Sequence, residues 1–118
     1  MAKLCLEALS DIDGFMAVAL VDSTSGQAVA TLGTGINLEL AAAGNAEVLL
    51  AKRKVARSLE LDDEIEDILI SLRKQYHLIR PLVRNPDFFL YLVLDRSKAN
   101  LAMARHELRT FESQLDFS

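Results

Sequence analysis

The sequence holds a single cysteine in 118 residues, so no disulfide can close within it and no set of thiolates can cage a metal. That usage fits a reducing cytoplasm. Tryptophan is absent and proline occurs only twice, which removes collagen-like and proline-rich disordered classes. Long apolar runs are missing too: Phe15 to Val21 and Phe88 to Leu94 fall well short of the ~20 residues that cross a bilayer. The N-terminus lacks a basic stretch followed by an apolar one, so a soluble, non-exported protein is expected. Positive charge is the minority, with 13 Lys and Arg against 17 Asp and Glu for a formal charge of −4. Nucleic-acid binding rests on a field of basic side chains that releases counterions, and this balance opposes it. Lys52, Arg53, Lys54 and Arg57 form only a local patch, read as the solvated face of a helix.

Apolar residues make up 51% of the chain and charged residues 25%, the balance of a globular protein. A chain of this length buries about two thirds of its unfolded surface, so residues 1–118 are expected to form one domain without staples.

The hydrophobic period changes along the chain. Ala2 to Ile12 places Leu4, Cys5, Ala8, Leu9 and Ile12 on one side of a helical wheel. Phe15 to Val21 is continuously apolar and bounded by Gly14 and the Asp22 to Gly26 turn, the pattern of a strand covered on both faces. Gln27 to Leu32 carries small or mildly apolar residues and suits a sheet edge. From Asn37, a possible cap, Leu38 to Leu59 reads as a long helix. Its apolar arc is wide: Leu38, Ala42, Leu49 and Ala56 lie on one side, with Ala41, Val48, Val55 and Leu59 beside them. Covering a sheet needs less than this, and the surplus implies that something else packs there.

Three strands follow: Ile68 to Lys74, Tyr76 to Val83 and Phe88 to Leu94, the last two separated by Asn85-Pro86-Asp87. Ile68, Ile70 and Leu72 alternate with Leu69, Ser71 and Arg73, which gives one core face and a place at an edge. The last strand is apolar on both sides and belongs in the centre. Pro81 cannot donate to a ladder and must sit at a strand end, edge or bulge. From Ser97 onward Leu101, Ala104, Leu108, Phe111 and Leu115 follow helical spacing, with Ser97 or Asp95 as the expected cap. The element order is αββαβββα, with helices on both faces of a five-stranded sheet: an α/β three-layer (α/β/α) arrangement.

Motifs for chemistry are thin. Gly33-Thr34-Gly35 before a helix has neither the Walker spacing nor its lysine and reads as a plain loop. The acidic run Glu60 to Asp67 lacks the alternation and glycine of a calcium loop and reads as a solvated turn. His77 and His106 are too distant in sequence for a local metal pair, and no nucleophile-base spacing points to catalysis. Arg96 and Arg105 flank the last helix as solvated charges, with a pair to Glu107 possible for Arg105.

The strings DGFMAVALVDSTSGQAVA, YHLIRPL and LDRSKANLAMARHEL, in this order and spacing, together resemble the roadblock/light-chain family over nearly the whole chain. The resemblance implies a profilin-like, roadblock-type antiparallel sheet of strand order 2-1-5-4-3, with the long helix on one face and both terminal helices on the other. It also implies a homodimer joined through the third strand, with Asp67, Ile68, Leu69, Ile70, Ser71, Leu72 and Arg73 at the edge and Ala42, Leu49 and Ala56 in a helix seam. The Asp95-Arg96 step and Asn100-Leu101 match the family's strand-to-helix junction. The function it implies is a non-catalytic cytoplasmic regulator of a small Ras-like GTPase, without catalytic residues, cofactor, metal, nucleic-acid partner or membrane insertion. A structural light-chain-like scaffold uses the same dimer. A small ligand-binding domain or enzyme built on the Gly33–Gly35 loop and His77 is the alternative from another class.

Overall fold

A short 3-10 helix, Leu6–Asp11, leads into β1 (Phe15–Asp22) and β2 (Gln27–Gly33). Then come α1 (Leu38–Ser58), β3 (Ile68–Ser71), β4 (Gln75–Pro81), β5 (Phe88–Asp95) and α2 (Leu101–Gln114). The structure, a computed structural model, describes residues 6–115. The N-terminal part of the expected first helix, including Leu4 and Cys5, lies outside the described residues; the described remainder is 3-10 rather than α.

The five strands form one antiparallel sheet of order β2-β1-β5-β4-β3. β1 and β5 are central, and their alternate residues feed two separate cores. Ala17, Ala19, Phe89, Tyr91 and Val93 face α1, where Ala42, Ala46 and Leu49 meet them. Val18, Leu20, Leu90, Leu92 and Leu94 face the other way, onto Leu6 and Leu9 of the 3-10 helix and Ala104, Leu108 and Phe111 of α2. Helix, sheet and helices thus make three layers. Ala17, Ala19 and Ala28 on the sheet opposite Ala42 and Ala46 leave so little between backbones that α1 runs closest to β1 and β2.

Two glycines are demanded by close approach. Gly33 has φ +103°, and a Cβ there would stand 2.2 Å from the Met16 carbonyl oxygen. Gly14 has φ +82°, and its Cβ would stand 2.8 Å from the Asp95 carbonyl oxygen. The Gly14 carbonyl accepts from the Asp95 N–H at 2.7 Å, which ties the entry of β1 to the exit of β5. Beyond that exit the Asp95 carboxylate accepts from the Ser97 N–H and hydroxyl at 3.0 and 2.8 Å, making a turn. These bonds hold the Asp95 carboxyl below its usual range. The cap of α2 is therefore neither Asp95 nor Ser97 but Asn100, whose Oδ1 accepts from the Met103 N–H at 3.1 Å. Asn37 caps α1 in the same way, through the Leu40 N–H at 3.0 Å. Pro81 ends β4 past the point where β3 has stopped, since Ile68 pairs with Ile79, so its missing N–H removes no bond between these strands.

Candidate protein interface at the β3 edge

Among the described residues β3 borders the sheet with β4 on one side only. The Leu72 N–H donates to the Gln75 carbonyl at 2.9 Å and closes the β3–β4 hairpin, so Ile70 and Ile68 also direct their amides and carbonyls toward β4. By alternation, Leu69 and Ser71 turn theirs outward. Ile68 and Ile70 project to the α1 face, while Leu69 projects to the α2 face. The expected strand to Lys74 stops at Ser71, because residues 72–75 make the turn.

Arginines from outside the hairpin hold both ends of this edge. At its start, Arg105 of α2 donates to both oxygens of Asp67, at 2.9 and 3.2 Å. The Asp67 carboxylate raises the Arg105 pKa, aided by the charge of Glu66. At its end, Arg96 donates to the Leu72 carbonyl at 3.0 Å and lies over the Tyr76 ring, 5.0 Å from its centroid. Neither contact was visible as a short-range pattern: Asp67 and Arg105 are 38 residues apart, and the pairing of Arg105 with Glu107 is replaced by this one.

The residues expected in the helix seam are not all on the outer side of α1. Ala42 and Leu49 are fully buried against the molecule's own sheet, and half-buried Ala56 lines a cleft described below. The outward apolar flank belongs instead to Val48, Val55 and Leu59, exposed by 37, 46 and 62%, with half-buried Ala41 beside them. Two contacts orient this flank. Ala43 lies against Gly26 of the β1–β2 turn, and Asn45 lies close enough to the Tyr91 hydroxyl of β5 to act on its pKa. At 100° per residue, the side bearing Ala41, Val48 and Val55 then faces over β4 and β3. There Ile65, Ile68 and Ile70 are only partly buried and Leu72 is 44% exposed. Helix flank and sheet edge together make an apolar ledge alongside unfilled strand positions.

The other candidates resolve into structural roles. His77 lies between the Tyr91 hydroxyl, 2.9 Å from Nδ1, and Gln75 Oε1, 2.8 Å from Nε2; a neutral imidazole protonated on Nε2 satisfies both. Burial lowers the pKa of His77 and raises that of Tyr91, the latter opposed by Asn45. Among the described residues no serine or threonine joins these contacts, and His106 is exposed on α2. A cleft of about 660 Å³ lies between the C-terminal half of α1, the 62–66 segment and the end of β4. Its walls bring Arg53, Arg57 and Arg80 together with Asp62, Asp63, Glu64 and Glu66, so the opposing charges largely cancel. Arg80 is buried and bonds Glu112 of α2 at 3.0 Å, while Glu112 also accepts from the Val83 N–H at 2.6 Å. Its Nη1 finds no partner among the described residues. Among the described residues no group of three or more His, Cys, Asp or Glu could hold a metal ion, and no helix is long and apolar enough to cross a membrane.

No protein-family model and no curated protein sequence matches the chain. Solved structures do match in fold. A roadblock/LC7 domain from Streptomyces avermitilis superposes with a TM-score of 0.79 at 10% identity, covering 92% of this chain and 88% of that one. MglB in a tetrameric arrangement gives 0.80 at 17% identity, over 93% of this chain and 81% of that one. MglC from Myxococcus xanthus gives 0.58 at 21% identity, over 92 and 89%. The fold is the roadblock fold, with its antiparallel sheet of order 2-1-5-4-3.

Proposed function

We propose that the chain is a non-catalytic homodimeric adaptor that binds a small Ras-like GTPase and modulates its nucleotide cycle. The observation that carries the self-association is the ledge: free backbone positions on Leu69 and Ser71 beside Val48, Val55, Ile68, Ile70 and Leu72. An open edge with adjoining apolar surface is a template for another strand, and a second copy fills both at once. A twofold axis perpendicular to the sheet joins two β3 strands antiparallel and brings the α1 helices to the same face. Likeness in fold to MglB in a tetrameric arrangement supports self-association. The GTPase part rests on the resemblance of the sequence to the roadblock/light-chain family. Such a dimer modulates a nucleotide cycle by binding one state of its partner more tightly than the other, and only that difference in affinity can shift the cycle.

Light scattering at micromolar concentration is expected to return twice the chain mass. Capture from native lysate is expected to retain a Ras-like GTPase in an amount that changes with a non-hydrolysable GTP analogue. A monomer at that concentration overturns the adaptor as drawn, and a dimer that retains no such GTPase in either nucleotide condition overturns the regulatory part.

A further inference from the structure

We infer that a second copy pairs with β3 in one register, with Ile70 on the twofold axis, so that Glu66 and Asp67 meet the partner's Lys74 and Arg73. This rests on the β3-edged homodimer proposed above and specifies how the two copies recognise each other. Residues directly opposite in an antiparallel pair point to the same side of the sheet. A twofold axis perpendicular to the sheet keeps the α1 faces together, so even-numbered residues must oppose even-numbered ones; slipping by one would set Ile70 against a residue of the other face. Leu69 and Ser71 carry the outward amides, which leaves three registers: centred on Leu69, on Ile70 or on Ser71.

The side chains separate the three. Centring on Leu69 places Leu72 opposite the partner's Glu66 and Ser71 opposite the partner's Asp67, apolar against charge on one face. Centring on Ser71 sets Ile68 and Leu69 beside the partner's turn with its Lys74 and Arg73, again apolar against charge. Centring on Ile70 places Ile70 opposite the partner's Ile70 and Ile68 opposite the partner's Leu72 on the ledge. Outside these apolar pairs the Glu66-Asp67 step before β3 then lies beside the partner's β3–β4 turn, which carries Arg73 and Lys74. This contact occurs twice by symmetry. Among the described residues Glu66, Arg73 and Lys74 make no ion pair and are exposed, so Glu66 and Lys74 carry most of this complementarity; Asp67, both of whose oxygens already accept from Arg105 and whose side chain is 12% exposed, offers the partner's Arg73 only its outer edge. Acidic residues before β3 and basic residues after it thus make the strand complementary to an inverted copy of itself, while a foreign edge that lacks this order meets mismatched charge.

Cysteine cross-linking reads the register directly. Ile70 donates its backbone bonds to β4, so on the axis two copies of it form a non-hydrogen-bonded pair with Cα atoms about 4.5 Å apart, within disulfide reach. Two copies of Leu69, or of Ser71, are then diagonal neighbours at about 7–8 Å, beyond it. With the native thiol removed by Cys5→Ser, Ile70→Cys is expected to cross-link to completion with oxidised glutathione, and Leu69→Cys and Ser71→Cys to remain largely reduced. A second arm uses charge: Glu66→Lys and Lys74→Glu are each expected to weaken self-association about tenfold, and an equimolar mixture of the two to recover it as a heterodimer. Faster cross-linking at Leu69→Cys or Ser71→Cys, or equal rates at all three, overturns the register while the edge dimer stands. A dimer that neither cross-links nor responds to the charge changes uses another surface, and a monomeric wild-type chain removes the homodimer itself.

Discussion

Glu60 follows α1 with φ +55°, a left-handed conformation that favours glycine. The Glu60 N–H donates to the Arg57 carbonyl and the Leu61 N–H to the Ala56 carbonyl, the paired bonds of a Schellman motif that close the last turn. Glu60→Gly keeps both bonds and removes the Cβ penalty, and is expected to stabilise the fold by about 1 kcal/mol in urea denaturation. The same Cβ penalty has the opposite consequence at Gly33, where the added carbon would also collide with backbone. His77 supplies a pH dependence. Burial holds its imidazole below the ordinary value of 6.5, so between that value and the lower folded one the unfolded chain binds more protons. Its contribution is complete above pH 6.5 and is lost as pH falls from there through the folded pKa. The melting temperature is expected to drop between pH 7 and pH 5, and His77→Gln to flatten that slope. The lowered carboxyls of Asp22 and Asp95 act separately, below their ordinary value of 3.8.

At the scale of elements, α1 carries apolar residues on two of its sides. Leu49 fills the molecule's own core and Val48 stands on the outward flank, so the two adjacent positions should respond differently. Leu49→Ala is expected to cost about 2–5 kcal/mol of stability, whereas Val48→Lys should leave the monomer folded and abolish the dimer in light scattering. The helical wheel exposed the surplus of apolar residues but not which side was surplus. That choice is made by Ala17, Ala19 and Ala28 on the sheet, whose small side chains accept Ala42 and Ala46 closely, a fit between segments distant in sequence. Edge and centre of the sheet were more legible, because a strand with two covered faces reads as a continuous apolar run and β3 alternates. The ties between elements were not. Arg80 lies in the otherwise apolar run Leu78 to Leu82, which hints at a buried pair, yet nothing local points 32 residues on to Glu112. Glu112→Gln keeps an acceptor for the Val83 N–H but leaves a buried cation without its counter-charge, and is expected to cost about 3 kcal/mol. Adding Arg80→Met should recover much of that loss if the penalty is the stranded charge, and none of it if Glu112 acts only through Val83.

For the molecule as a whole, the two cores are unequal in what encloses them. The face toward α2 is covered by two helices, though Leu69 of β3 is partly buried there, whereas the α1 face has one helix and ends at β4 and β3 in the partly buried Ile65, Ile68 and Ile70 beside the exposed Val48 and Val55. If a second copy completes that face, unfolding separates two chains as well as melting each, and stability depends on chain concentration. A tenfold increase in concentration then adds about 1.4 kcal/mol to the folded dimer. With the enthalpy typical of two chains of this length, the melting temperature should rise by about 3 °C. The measurement is a thermal melt at three concentrations spanning two decades, with Val48→Lys run beside the wild type. The wild type is expected to shift by that increment per decade and the variant to melt at one temperature throughout. A wild-type melting temperature independent of concentration, in a melt shown to be reversible, would mean that each chain's cooperative core closes without its copy and that the ledge serves a different partner.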